Sequence, residues 1–226
     1  MGWWTALFTQ DSLSEHPGEN ALTEYALSFC TFNRNSLIVD VGCGKGGSVA
    51  LLRRKLGCRV IGVDRSADAA DADILRGDAE ALPFENALAD GVLTDAEKRS
   101  GCMLVDLGAE TTTVLVSQIS CPEKVLHECA RILKAGGTLL LTDLYSRTDE
   151  VRQSNLGCLF TKETLRSALC AAGFSVTYFE DVSPLLTQLW ASAMLSGSGD
   201  GACRILRLFR ESGAKPGYYI LTATRL

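Results

Sequence analysis

Four glycines crowd into the eight residues Asp40-Val41-Gly42-Cys43-Gly44-Lys45-Gly46-Gly47, between the apolar run 37–41 and a stretch in which Val49, Leu52 and Leu56 recur at helical spacing. An apolar run that turns through glycines into a helix is the opening of a β-loop-α unit, and the glycines let backbone approach a ligand where side chains would obstruct it. The rest of the chain continues the alternation. Strands are expected at 59–63, ending at Asp64, at 89–93, and at 138–141, ending at Thr142 and Asp143. A helix with Pro122 near its start and Val125, Leu126, Cys129, Ile132 and Leu133 on one stripe is expected to end at Gly136-Gly137. A helix over 161–172 closed by Gly173, a strand over 175–179 and a last strand over 217–225 complete the series. Such alternation predicts an α/β fold with a doubly wound, Rossmann-like sheet.

The 226 residues suit one domain. No apolar run approaches the roughly 18 residues of a membrane span. Residues 1–8 hold two tryptophans but no basic, apolar leader, so a cytoplasmic protein is expected. A net charge of -5 argues against phosphate-backbone attraction and hence against nucleic acid as partner. The nine cysteines include no Cys-x-x-Cys, which signals neither a disulfide framework nor a metal site; most are expected to be buried thiols.

The spacing of Gly42, Gly44 and Gly47 fits the dinucleotide fingerprint, so the glycines do not choose between a nicotinamide cofactor and S-adenosylmethionine. Asp40 favours the second, because a carboxylate there would repel a pyrophosphate but attract a cationic ammonium. Asp64, at the end of the next expected strand, is placed to grip ribose hydroxyls in either cofactor. The plain alternative for both carboxylates is capping of strand or helix ends.

Four ordered blocks, residues 40–46, 60–66, Gly77-Asp78-Ala79-Glu80-Ala81-Leu82-Pro83-Phe84 and 131–143, together resemble class I S-adenosylmethionine-dependent methyltransferases of the small-molecule type. The resemblance implies a mostly parallel sheet with an antiparallel C-terminal strand, and a cofactor held by Asp40, Gly42, Gly44, Gly46, Asp64, Arg65, Asp78 and Ala79. Asp78 would accept from the adenine amino group, the Ala79 amide would reach a ring nitrogen, and Leu82-Pro83-Phe84 would turn beside the cofactor; an ordinary surface turn is the alternative. His16-Pro17-Gly18 and Leu22-Thr23-Glu24 resemble the segment that covers the cofactor, which makes 1–36 a lid. Residues 150–205 are similar to the substrate-side region. Methyl transfer from a sulfonium needs positioning more than a base. Where a base is needed, His16, Asp143 and Tyr145 are candidates, against the alternatives of a solvated histidine and two loop anchors. The expected acceptor is a small molecule.

Residues 94–116 interrupt this pattern. Thr94 to Cys102 and Leu104 to Val114, with Asp106-Leu107-Gly108 and Thr111-Thr112-Thr113, resemble the second phosphate-binding hairpin of actin-like ATPases. The chain carries only that fragment of an actin-like site, so an insertion rather than an ATPase is expected. It would border the active site, either remodelling the acceptor pocket or impairing turnover to leave a cofactor-binding module. A nicotinamide-dependent oxidoreductase is the remaining reading.

Overall fold

The computed structural model describes residues 21–44, 46–65, 67, 73–95, 121–154, 157–184 and 215–226. His16, the first part of the expected lid, most of 94–116 and, within the expected substrate-side region, 155–156 and 185–205 lie outside them.

Helix α1 (Ala21–Leu27) precedes strand β1 (Leu37–Val41), helix α2 (Gly47–Leu56) and strand β2 (Arg59–Asp64). Strands β3 (Ile74–Arg76) and β4 (Ala89–Asp95) follow, then helix α3 (Pro122–Ile132) and the long strand β5 (Leu133–Ser146). A short hairpin, β6 (Arg152–Ser154) and β7 (Gly157–Leu159), leads to helix α4 (Lys162–Ala171), strand β8 (Phe174–Asp181) and strand β9 (Pro216–Arg225). The main sheet has seven strands in the order β3-β2-β1-β4-β5-β9-β8. β1 pairs in parallel with both β2 and β4, while β9 runs antiparallel between β5 and β8. The sheet is thus mostly parallel and doubly wound, with the strand order reversing beside β1, where open α/β sheets bind ligands.

Alternation along each strand sends side chains to two cores. Ile38, Val60, Leu93, Leu140 and Ile220 pack with Val49 and Leu52 of α2 and Ala26 of α1. Val39, Val63, Val92, Leu139 and Leu221 pack on the other face with Val125, Leu126 and Cys129 of α3 and Leu165 and Leu169 of α4. With both faces covered, the central strands read as continuous apolar runs. Local signals fix the helices: Gly57 closes α2 at φ 62° with its amide on the Arg53 carbonyl, and the Thr161 hydroxyl accepts from the Thr164 amide to start α4.

The structure departs from the expected boundaries in three places. α3 ends at Ile132 rather than at the glycines, and Leu133 already pairs with Ala89 as a strand residue. β3 and the β6–β7 hairpin carry too few residues for an alternating pattern to register. Of the seven described cysteines, none in a disulfide, Cys43, Cys58 and Cys129 are buried but Cys170 is exposed. Among the described residues no helix is long and apolar enough to cross a membrane, and no three His, Cys, Asp or Glu side chains cluster to hold a metal.

Candidate functional site

The glycine loop folds back over the end of β2. The Gly42 and Cys43 amides both donate to the Val63 carbonyl, at 2.7 and 3.2 Å, and the Gly44 amide donates to Asp64 Oδ2 at 2.9 Å. Gly42, Gly44 and Gly46 hold φ at 79°, 53° and 82°, in the left-handed region that side chains disfavour. Beneath the loop lies Gly62, opposite Asp40 in the β1–β2 register. A Cβ on Gly62 would sit 2.5 Å from Cys43 Sγ, so its absence is what lets the loop rest on the sheet.

Asp40 and Asp64 are each 1% exposed. The Ser48 hydroxyl, in the first turn of α2, donates to Asp40 Oδ2. This hydrogen bond and the positive end of α2 offset the cost of burying the Asp40 charge. The loop therefore carries two buried carboxylates, one within and one beside it. That donor set suits a ligand with hydroxyls and a cationic group, and is unsuited to a pyrophosphate. The residues present fit S-adenosylmethionine on this ground.

Beyond β3, the turn 77–84 is tied to the same edge by the Gly77 amide on the Asp64 carbonyl, 3.1 Å. Gly77 is pressed between neighbours: a Cβ would lie 2.8 Å from Val63 Cγ1 and 3.1 Å from Pro83 Cδ. Arg65 Nη2 donates to both Asp78 oxygens at 2.9 Å, and the Glu80 amide donates to Asp78 Oδ1 at 2.9 Å. The Glu80 amide, joined by Arg65, holds the Asp78 carboxyl below its usual value against the opposing effect of burial. Ala79 is buried. The structure therefore gathers Asp40, Gly42, Gly44, Gly46, Asp64, Arg65, Asp78 and Ala79 at the carboxyl ends of β1 and β2 and the turn after β3.

Two residues not among the expected site residues, Glu128 and Arg131, grip this turn from α3. Glu128 Oε2 accepts from the Leu82 amide at 2.7 Å. Arg131 donates through Nη2 to the Leu82 carbonyl at 2.9 Å and through Nη1 to the Phe84 carbonyl at 2.7 Å and Asn86 Oδ1 at 3.0 Å. The pair is closed by Arg131 Nε on Glu128 Oε1 at 2.7 Å. Their i, i+3 spacing, on the opposite side of α3 from its apolar stripe, is the signal that could have found them.

Asp143 and Tyr145 lie toward the carboxyl end of β5 in environments of their own. Asp143 is 1% exposed, its Oδ1 accepting from the Leu144 amide at 2.6 Å. It pairs in register with Tyr219, whose phenol is pushed up by burial and then by the Asp143 charge. The Tyr145 ring packs edge-on at 5.9 Å from both Phe179 and Tyr219. Burial and then Asp181 raise its phenol, and it lies over Gly217, where a Cβ would come within 2.3 Å of Cε1. Tyr145 belongs to the core on the α3 and α4 face, whereas Asp40 bonds to α2 on the other.

The sequence matches the methyltransferase domain family over residues 19–178. It is 29% identical over 170 residues to methyltransferase GfsG of Streptomyces halstedii, covering 74% of this chain and 58% of that protein. It is 26% identical over 155 residues to a sarcosine/dimethylglycine N-methyltransferase of Halorhodospira halochloris, covering 65% of this chain and 54% of that one. The chain thus spans little more than half the length of these curated relatives. Among solved structures, geranyl diphosphate C-methyltransferase from Streptomyces coelicolor A3(2), in complex with Mg2+, geranyl diphosphate and S-adenosyl-L-homocysteine, superposes with a TM-score of 0.70. Identity there is 20%, over 98% of this chain and 88% of that one. The cyclase SpnF superposes with a TM-score of 0.68 at 22% identity, over 97% and 85%. At such identities the likeness shows the fold, and a fold hosts more than one reaction.

Proposed function

The chain belongs to the methyltransferase domain family, and on that footing we propose that it transfers a methyl group from S-adenosylmethionine to a small-molecule acceptor. The observation that carries this reading is the pair of buried carboxylates, Asp40 and Asp64, around a glycine loop at the point where the strand order reverses. When bound, the cofactor supplies a methyl carbon already activated by its sulfonium. Asp40 provides negative potential for the ammonium end. The backbone of Gly42, Gly44 and Gly46 makes room for close approach, and Asp64 receives the ribose hydroxyls. Arg65, Asp78 and the Ala79 amide serve the adenine end. The names of the curated relatives, which include a sarcosine/dimethylglycine and a phosphoethanolamine N-methyltransferase, support a small acceptor over nucleic acid.

On the acceptor side the chain's task is to orient a nucleophile and exclude water, with a base optional. The packing of Asp143 and Tyr145 favours structural anchoring over proton transfer for both. His16 stays the base candidate of the head segment, which acts as the lid. Residues 94–116 begin within the last part of β4, a strand whose end faces the same edge as the glycine loop, and in this reading they remodel the acceptor pocket.

Calorimetric titration with S-adenosylhomocysteine tests the cofactor half. The parent protein is expected to bind in the micromolar range. Losing a hydrogen bond to a charged group is expected to weaken Asp64→Ala by about 10- to 150-fold. Asp64→Asn keeps an acceptor for the Gly44 amide and separates loop support from ribose binding. Tight binding of NADH with none of S-adenosylhomocysteine would reverse the assignment. Cofactor binding without methylation across an amine, phenol and carbon-acid acceptor panel would leave a binding module or a cyclase in place of a transferase.

A further inference from the structure

We infer that Glu128 and Arg131 are positioning residues that set the adenine end of the cofactor site from helix α3; the inference rests on the cofactor reading above. The inner half of the turn that carries Asp78 and Ala79 is held by its own bonds, the Glu80 amide on Asp78 Oδ1 at 2.9 Å and the Ala81 amide on the Asp78 carbonyl at 3.0 Å, while beyond Ala81 its one internal backbone bond is the Phe84 amide on the Leu82 carbonyl at 2.8 Å. Its outer half is instead gripped by α3, which engages both backbone groups of Leu82. Glu128 takes the amide and Arg131 the carbonyl, while a second arm of Arg131 holds the Phe84 carbonyl. Neither side chain is free to choose another geometry, because Arg131 is tied to both carboxylate oxygens of Glu128 at 2.7 Å.

The grip is only as good as the helix behind it, and α3 is well seated. Val125, Leu126, Cys129 and Ile132 are wholly buried, and α3 continues without a loop into β5. Leu82 and Ala79 are themselves only 5% and 3% exposed and belong to the same core cluster as Val125 and Leu126, so the turn is pressed against that core. The inner end is fixed to β2 through the Gly77 amide. Asp78 and the Ala79 amide therefore stand between two rigid supports. Their distance from the ribose end is set by where α3 places Leu82. Charge-assisted hydrogen bonds of this kind are stronger and more directional than neutral ones, which suits them to fixing a turn.

A pair that merely stapled the turn would affect melting and leave base recognition alone. The test compares S-adenosylhomocysteine with S-inosylhomocysteine, which lacks the adenine amino group, on the parent, Arg131→Met, Arg131→Lys and Glu128→Gln at a temperature where circular dichroism shows each folded. The parent is expected to prefer the adenine ligand, and Arg131→Met to lose about tenfold of that affinity, about 1.4 kcal/mol, with little change for the inosine ligand. Arg131→Lys, which can reach one carbonyl, is expected to recover part of the preference. Folded variants that retain the parent's preference would overturn the inference. Hydrogen exchange of the Leu82 amide, measured without ligand, gives an independent readout: it should quicken in Glu128→Gln and Arg131→Met, and unchanged protection would also overturn it. A parent that binds neither ligand would instead bring down the cofactor reading, and this inference with it.

Discussion

Gly62 governs the glycine loop without belonging to it. A Cβ there would meet Cys43 Sγ at 2.5 Å and both Cys43 Cβ and Val49 Cγ2 at 3.1 Å, and Cys43 is 1% exposed with nowhere to move. Gly62→Ala should cost about 1–3 kcal/mol in denaturant unfolding, the usual range for overpacking, and should weaken S-adenosylhomocysteine binding by lifting the loop off β2. Adding Cys43→Ala should recover part of both losses; a double variant no better than the single one would place the strain elsewhere. The thiols give a second prediction at this scale. Burial pushes Cys129 up to about 12, and Cys30 likewise to about 12, so neither has appreciable thiolate near neutral pH. Iodoacetamide followed by peptide mass mapping on native protein should label exposed Cys170 well before either; early labelling of Cys129 would contradict its burial.

At the scale of elements, α3 both frames a core and holds a turn, and that duty has a pH signature. Arg131, followed by the Leu82 amide, lowers the Glu128 carboxyl below its usual value against the opposing effect of burial. Because the folded value is the lower one, the stabilisation is present above the unfolded value and is lost as pH falls through the folded value. Glu128→Gln should therefore show a flatter acid limb than the parent in melts between about pH 3 and 5, with the two curves converging at the acid end. Parallel curves would remove Glu128 from the acid response. The same helix shows how far sequence pattern reaches. Its apolar stripe was legible, yet its end was not, because Leu133 continues the stripe in phase while pairing with Ala89 in the sheet. The glycine loop and the carboxylates near the ends of β1 and β2 could be read from spacing, since close backbone approach demands glycine. The i, i+3 spacing marks Glu128 and Arg131 as a pair, but not what they hold, which is backbone some 45 residues away in sequence. Asp143 and Tyr145 illustrate the converse: lying near the expected strand end marked them as candidates, but only three-dimensional packing reveals the aromatic cluster around Tyr145.

Across the whole molecule, the sheet is completed from the inside. β9 sits between β5 and β8, matched in register to β5 from Thr138–Thr224 to Ser146–Pro216 and to β8 from Phe174–Arg225 to Asp181–Tyr219. Tyr219, Ile220 and Leu221 are among its buried side chains. Removing residues 216–226 should therefore unfold the chain rather than trim it, seen as loss of the cooperative urea transition; a truncated protein with a normal transition would show that β5 and β8 can close without their partner. The placement also has a consequence in time. On the ribosome, β5 and β8 emerge with bare hydrogen-bonding edges and must wait for the stretch 182–215 to be made. At roughly 5–20 residues per second that interval is about 2–7 s. During it the nascent chain is most exposed to edge-to-edge pairing with its neighbours on the same messenger, so its yield in a cell should depend on translation speed through that stretch and on chaperones that shield open strands.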